Sequence, residues 1–544
     1  MIAAEAAASR PQIELDQVFD VWDLHDKLKV PSLSTRVNSL APYACVSRRW
    51  QLAFEPFIFE TLILSPKRLA QAERQGYLTQ RRLGYVRTIA VPITFPLPWP
   101  WDVPIVFSQV AEWPPPPDIQ PRKTDTIAGG NENVDAENVS SEEEADDEEE
   151  DGCIEDEEDL LPPEERGYDK IFASIIRSLF RILKLAPVHE NKQPYIDLRL
   201  GLPVPREYGW CFANCIEEPE AERTEVGWCK PLYLDLLLNQ DEVPELPVIA
   251  SCSFELVSWS IFLSPRTACV IASRMPHLKK LKLHLSDKEW REPALRVKLR
   301  DEFASSLSIL PETVMDFELH YSRRVPRDHS YTPISIVPPN EKHDPLSKAL
   351  FTFSRRENLV RFSANGSFDL DVVGFSNRPR PSADSSAWSK LEHYEIGLLA
   401  VTPSGHWLAM QYTANPNTDS FKDERWGPPS EWSRSCLSHF TTNEFRGPID
   451  PEFAHDLLCA VGRVAVHMPQ LQTMKINVGV VAGYKVSYTS KKVEPCMRIV
   501  GKKLQPPNDD LLRVWRRVAL DHDQKFVLEW NDTVKTNKRK ERFQ

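Results

Sequence analysis

Glycine is scarce in this chain, 19 of 544 residues, and loops whose backbone cradles a phosphate need it. The motifs that carry much of enzymology are missing with it: no GxSxG elbow, no GxxxxGK[ST], no GxGxxG after a strand and no HExxH helix. No stretch approaches eighteen uninterrupted apolar residues, and the opening MIAAEAAASRPQIELD has neither a basic n-region nor an apolar h-region. The expectation is an intracellular chain, cytoplasmic or nuclear, without a secretory signal or membrane anchor. Ten cysteines without paired spacing exclude a disulfide framework, and Cys45, Cys269 and Cys459 read as reduced core residues. Cys211, Cys215, Cys229 and Cys252 are separated by 3, 13 and 22 residues, which fits no compact zinc knuckle. The thirteen histidines are scattered; His439 with Asp450 and His455 with Asp456 read as surface pairs. No catalytic site, cofactor or metal site is expected.

What the chain does have is charge, and that charge is local. The net value of -13 comes from residues 131–159, which hold 17 Asp and Glu and no Lys or Arg; the remainder carries 62 acids against 66 bases. A run such as EEEADDEEED repels itself and buries too little surface to offset its ordering entropy, so it predicts a disordered insertion or a contact for a basic partner such as a histone. Upstream, VPITFPLPWPWDVPIVFSQVAEWPPPP is too proline-dense for a helix interior or a central strand and predicts an extended connector. At the other end, Lys535, Lys538, Arg539, Lys540 and Arg542 cluster in a polar tail, read either as a nuclear import address or as a solvated terminus. Aromatics are not interleaved with these bases, so direct nucleic-acid recognition is not expected.

The most informative stretch is LAPYACVSRRWQLAFEPFIF, Leu40 to Phe59. Leu40, Tyr43, Ala44, Val46, Trp50, Leu52, Phe54 and Phe57 recur at spacings near three and four, which predicts helices burying one face, with Ser47, Arg48, Arg49 and Gln51 in water. The run resembles fungal F-box-like proteins in which LxPYAxVSRxWQ precedes a short apolar strand, here Thr61 to Leu64. The resemblance implies a helical module that docks on a Skp-type adaptor of a cullin ubiquitin ligase while the rest of the chain selects a substrate. It implies adaptor contact through Leu40, Pro42, Tyr43, Val46 and Trp50. The preceding LDQVFDVWDLHDKLKVPSL lacks the Leu-Pro pair that opens an F-box.

Further on, a helix-then-strand unit recurs. Tyr168 to Ala186 carries an i, i+4 stripe of Ile171, Ile175, Leu179 and Leu183 and predicts an amphipathic helix, followed by the strand YIDLRL and its likeness YLDLLL at Tyr233 to Leu238. Ser264-Pro265 opens a helix that ends in MPHLKKLKLHL, and Asp450-Pro451 opens one that ends in HMPQLQTMKINV. A polar cap accepts an orphan amide and proline lacks one, so these pairs are helix starts with a mechanism. Glu292-Pro293 and Asp344-Pro345 begin weaker copies, and SAWSKLEHYEIG adds a strand. The shared tail Leu-x-x-apolar-x-apolar is the strand of a leucine-rich repeat, although its irregular spacing fits an ordinary α/β domain of parallel strands as well. The same F-box-like proteins resemble this region, including the closing LLRVWRRVALDHDQKFVLEW.

The expected organisation is α/β (α+β overall): an N-terminal segment 1–29, an F-box-like helical module 30–66, a strand and proline-rich connector 67–130, the acidic insertion 131–164, an irregular leucine-rich-repeat-like domain 165–530 and a basic tail 531–544. The expected function is a non-enzymatic substrate-recognition subunit of a Skp-cullin-F-box ligase. The alternatives are an interaction scaffold without ligase association and a nuclear histone-binding factor using the acidic tract.

Overall fold

The structure, a computed structural model, describes residues 41–93, 167–188, 193–201, 232–236, 242–255, 261–287, 293–323, 329, 333–375, 387–411, 446–479, 483–490, 496–502, 504–532 and 541–543. Residues 1–94 and 169–544 form one unit, to which the account below applies; of the second, 95–168, only Gly167 and Tyr168 are described. The acidic insertion, residues 94–117 of the proline-rich stretch, Leu40, His439 and three of the four clustered cysteines lie outside the described residues; the first residues of that stretch, Val91 and Pro92, instead close the strand Thr88–Pro92, which has a neighbouring strand on each side.

The chain opens with α1 (Ala41–Ala44) and α2 (Arg48–Ile58), then β1 (Thr61–Ile63), α3 (Pro66–Gln75), α4 (Gln80–Leu83) and β2 (Thr88–Pro92). There follow α5 (Gly167–Leu183), β3 (Ile196–Gly201), β4 (Leu232–Leu234), β5 (Ile249–Glu255), β6 (Ile261–Leu263), α6 (Pro265–Ser273) and β7 (Lys280–Ser286). Next come α7 (Pro293–Ser306), β8 (Asp316–Ser322), α8 (Pro345–Ser354), β9 (Arg361–Gly366), β10 (His393–Leu399), β11 (Ala409–Gln411) and β12 (Arg446–Ile449). The chain closes with α9 (Pro451–Ala465), β13 (Thr473–Gly479), β14 (Tyr484–Thr489), β15 (Met497–Gly501), α10 (Asp509–Asp521), β16 (Leu528–Asp532) and β17 (Glu541–Phe543).

Thirteen strands form one sheet in the order β1-β2-β3-β5-β7-β8-β9-β10-β13-β14-β15-β16-β17, which never departs from chain order. Every pairing from β1 to β13 is parallel; antiparallel pairs enter at β13-β14, β14-β15 and β16-β17. Adding each parallel strand beside the last is how a repeat array grows, in contrast to a doubly wound sheet whose order reverses at a switch point. The likeness at Tyr233 does not join this array: β4 pairs with β6 in a small separate sheet.

Burial says where the core lies. Along β3, β7 and β9 buried and half-exposed residues alternate. A parallel sheet covered by helices on both faces would instead read as a continuous apolar run. Here Leu198, Cys252, Leu281, Phe317, Phe362, Tyr394 and Met474 form one buried row in register across seven strands. Stacked rings reinforce it, with Phe362 centred 5.7 Å from Phe317 and 5.6 Å from Tyr394. The helices adjoin one another in chain order, α6 to α7, α7 to α8 and α9 to α10, with the 3-10 turn Leu370–Val373 bridging α8 and α9.

The two Met-Pro tails make the same turn. Met275 and Met468 are fully buried, each accepts the amide of the leucine three residues on, and each donates its own amide to the alanine three residues back. The helix starts differ in detail. Asp450 accepts the amides of Glu452 and Phe453, and Asp344 that of Ser347, but Ser264 makes no side-chain cap. There Pro265 at the first helical position sets the start, by its fixed φ and missing N–H. No helix among the described residues is long and apolar enough to cross a membrane.

Candidate interaction surfaces

The N-terminal helices leave open the face that their periodicity predicts to be buried. Ser47 caps α2 by accepting the amide of Trp50, and α1 and α2 pack side by side. Tyr43 on α1 then stacks on Trp50 with centroids 6.0 Å apart, and Phe54 lies 5.8 Å from Tyr43 and 5.5 Å from Trp50. Only Phe54 of the three is buried; Tyr43 is 49% exposed, Trp50 41% and Val46, in the turn between the helices, 66%. Cys45 is exposed as well and is no core residue, whereas Cys269 and Cys459 are buried as expected. So Pro42, Tyr43, Val46 and Trp50 are all exposed, with the stacked Tyr43 and Trp50 rings forming an open aromatic surface.

What fixes that patch is a buried carboxylate. Glu55, on α2, takes 2.6 Å and 3.1 Å ion pairs from Arg81 and Arg82 of α4 and a 2.7 Å hydrogen bond from the Gln51 amide. Arg82 also lies 5.0 Å over the Phe59 ring. These contacts clamp α2 onto the start of the sheet, and β1 is itself the first strand of that sheet. The module therefore does not end cleanly at residue 66; it is built into the array.

The second surface is the half-exposed face of the sheet, which sequence reasoning left without residue assignments. It presents cross-strand partners of opposite charge, each half-open to water. Asp316 on β8 lies between Lys280 of β7 at 4.0 Å and Arg361 of β9 at 3.3 Å, and Glu318 pairs with Lys282 at 3.4 Å. Further along, Asn477 donates to Glu395 at 3.3 Å and the His393 ring meets the Thr473 hydroxyl at 2.7 Å. Gly397 has a role here: a Cβ on it would sit 2.7 Å from the Asn365 side chain, so the missing side chain gives that amide its place. The residues come from strands tens of positions apart, and only the register aligns them.

Among the described residues two clusters hold metal-type donors, His284 with Glu318 and His320, and His343 with Asp369 and Asp371. Asp369 accepts the amides of Asp371 and Asp344, and His343 reaches Asp371 at 2.8 Å. Burial, aided by the nearby Asp344 carboxylate, pushes the Asp369 carboxyl up to about 6. In the first cluster, His284 and then His320 hold the Glu318 carboxyl well below the usual carboxylate range. Of the four cysteines weighed for zinc, Cys252 sits in the buried row of the sheet, where burial pushes its thiol up; a protonated core thiol is a poor ligand. His455, read as a partner of Asp456, instead faces the Cys459 sulfur at 3.6 Å.

Residues 310–542 match the model of a family of unknown function (DUF6546). That span begins after α7 and runs into β17, and it includes Asp316, Glu318, His320 and Arg361 but neither His284 nor the N-terminal patch. No curated protein and no solved structure matches the chain.

Proposed function

We propose that the chain is a non-enzymatic, F-box-like substrate-recognition subunit of a Skp-cullin-F-box ubiquitin ligase. In this reading α1 and α2 dock a Skp-type adaptor, and the half-exposed face of the sheet takes a protein substrate. The observation that supports it is the aromatic patch. Tyr43 and Trp50 stack on one another with Val46 beside them in the turn, and all three stay open to solvent; exposed aromatic and apolar side chains gathered in this way mark an interaction site. Tyr and Trp are also the residues that most often anchor interfaces. The sheet face fits the second task, being broad, charged and shaped by cross-strand pairs in the manner of a repeat protein's binding surface.

Co-expression with a Skp-type adaptor and its cullin tests the reading. The expected result is that the cullin co-purifies with this chain only when the adaptor is present, and not with Tyr43→Asp/Trp50→Ala. Recovery of the chain alone, with adaptor and cullin both present, would leave the patch to the chain's own residues 1–40 and favour an interaction scaffold without ligase association.

A further inference from the structure

His284 on β7 and His320 on β8 lie directly opposite each other in the parallel register, and Glu318, two residues before His320, points to the same face of the sheet. The Glu318 Oε1 atom is 3.5 Å from Nε2 of His284 and 3.5 Å from Nε2 of His320. That separation exceeds the range of about 2.7–3.2 Å for a good N–H···O hydrogen bond. Nε2 of His284 is buried and makes no hydrogen bond of ordinary length; the Glu318 Oε1 atom is the acceptor it faces. Bonds of about 2.0–2.2 Å from a zinc ion to imidazole nitrogen and carboxylate oxygen place tetrahedral ligands about 3.3–3.6 Å from one another. The two measured edges fall inside that interval. The other carboxylate oxygen, Oε2, lies 3.4 Å from the Lys282 ammonium, which leaves Oε1 as the oxygen turned toward both rings.

We propose that His284 Nε2, His320 Nε2 and Glu318 Oε1 form a site for a divalent cation of the zinc class on the open face of the sheet. The fourth position holds water in the isolated chain and faces solvent beside His320, whose side chain is 47% exposed. Two imidazoles and one carboxylate suit zinc or cobalt(II) and discriminate against calcium and magnesium, which prefer all-oxygen shells. A bound protein that offers a carboxylate, imidazole or thiolate can displace the water, making the cation a bridge to a partner. The site itself stands apart from the ligase reading, since it needs only the β7-β8 register.

The test is cobalt(II) titration of the full-length chain, stripped of metal with a chelator, beside His320→Ala and Glu318→Gln. The expected result is an intense visible absorption of low-symmetry cobalt(II) in the wild type, saturating at one equivalent, displaced by zinc and absent from both variants. The carboxylates of the acidic run 131–159 give weak, pale octahedral binding, and its Cys153, like any other thiolate, would announce itself by sulfur charge-transfer bands. His320 is half-exposed, so its variant should fold, with a circular dichroism spectrum matching the wild type. The same absorption and stoichiometry in all three proteins, or no cobalt(II) band in the wild type, overturns the site.

Discussion

The Arg300 guanidinium on α7 grips the Asp344 carboxylate with two parallel contacts, Nε to Oδ1 at 2.6 Å and Nη2 to Oδ2 at 2.8 Å, deep in the helix layer. Asp344 is at the same time the cap of α8, accepting the amide of Ser347. One turn back along α7, Arg296 holds Asp287 at the end of β7 in a second fork, at 2.7 Å and 2.6 Å. Two arginines four residues apart thus tie three successive units of the array together. Both acids and both arginines are buried, so each charge depends on its partner.

Replacing Arg300 with Met strands Asp344 without its counter-ion. The expected loss is about 3–5 kcal/mol of unfolding free energy, measured by urea denaturation. Arg300→Met/Asp344→Asn, which removes both charges, should lose much less than the two single variants added together.

Asp369 predicts a pH dependence whose sign is opposite to that of an ordinary salt-bridged carboxylate. Its folded pKa is raised to about 6, by burial first and then by Asp344, against about 3.9 in the unfolded chain. Between these values the folded state holds more protons than the unfolded one, so this group's contribution falls as pH rises through the window. Relative to wild type, Asp369→Asn should gain about 1 kcal/mol between pH 5 and pH 7 in paired denaturation curves. A constant difference across that range would contradict the assignment.

The repeated turn predicts matched losses at positions 193 residues apart. Met275→Ala and Met468→Ala each empty a fully buried site in the same hydrogen-bonded turn, at an expected cost of about 2–5 kcal/mol apiece by thermal or urea unfolding. Arg361→Ala, on the open face, should move stability by under about 1 kcal/mol, because its pair with Asp316 is solvent-screened.

Much of this fold is legible in the sequence because its signals are local. A polar residue before proline starts α6, α8 and α9, alternation marks β3 and β7, and the Met-Pro-x-Leu turn gives the boundary between helix and strand. The N-terminal stretch shows the limit of periodicity: spacing reveals that Tyr43, Val46 and Trp50 share a face, but not whether the protein supplies anything to cover it. The sheet face was hidden for a different reason. His284 and His320 are 36 positions apart, and only the register of two parallel strands puts them opposite each other. Asp287 was equally opaque, and of Asp344 only the capping role was legible, since an acid in a loop reads as solvated until its arginine is located.

The central claim, that the N-terminal aromatic patch is an adaptor's handle, is tested most directly by calorimetric titration of the full-length chain with a purified Skp-type adaptor. The account predicts a saturable one-to-one complex for wild type. It predicts no detectable heat for Tyr43→Asp/Trp50→Ala, whose circular dichroism should be unchanged because both side chains are exposed by 40% or more. Absence of binding by the wild type, or equal binding by the double variant, would contradict it.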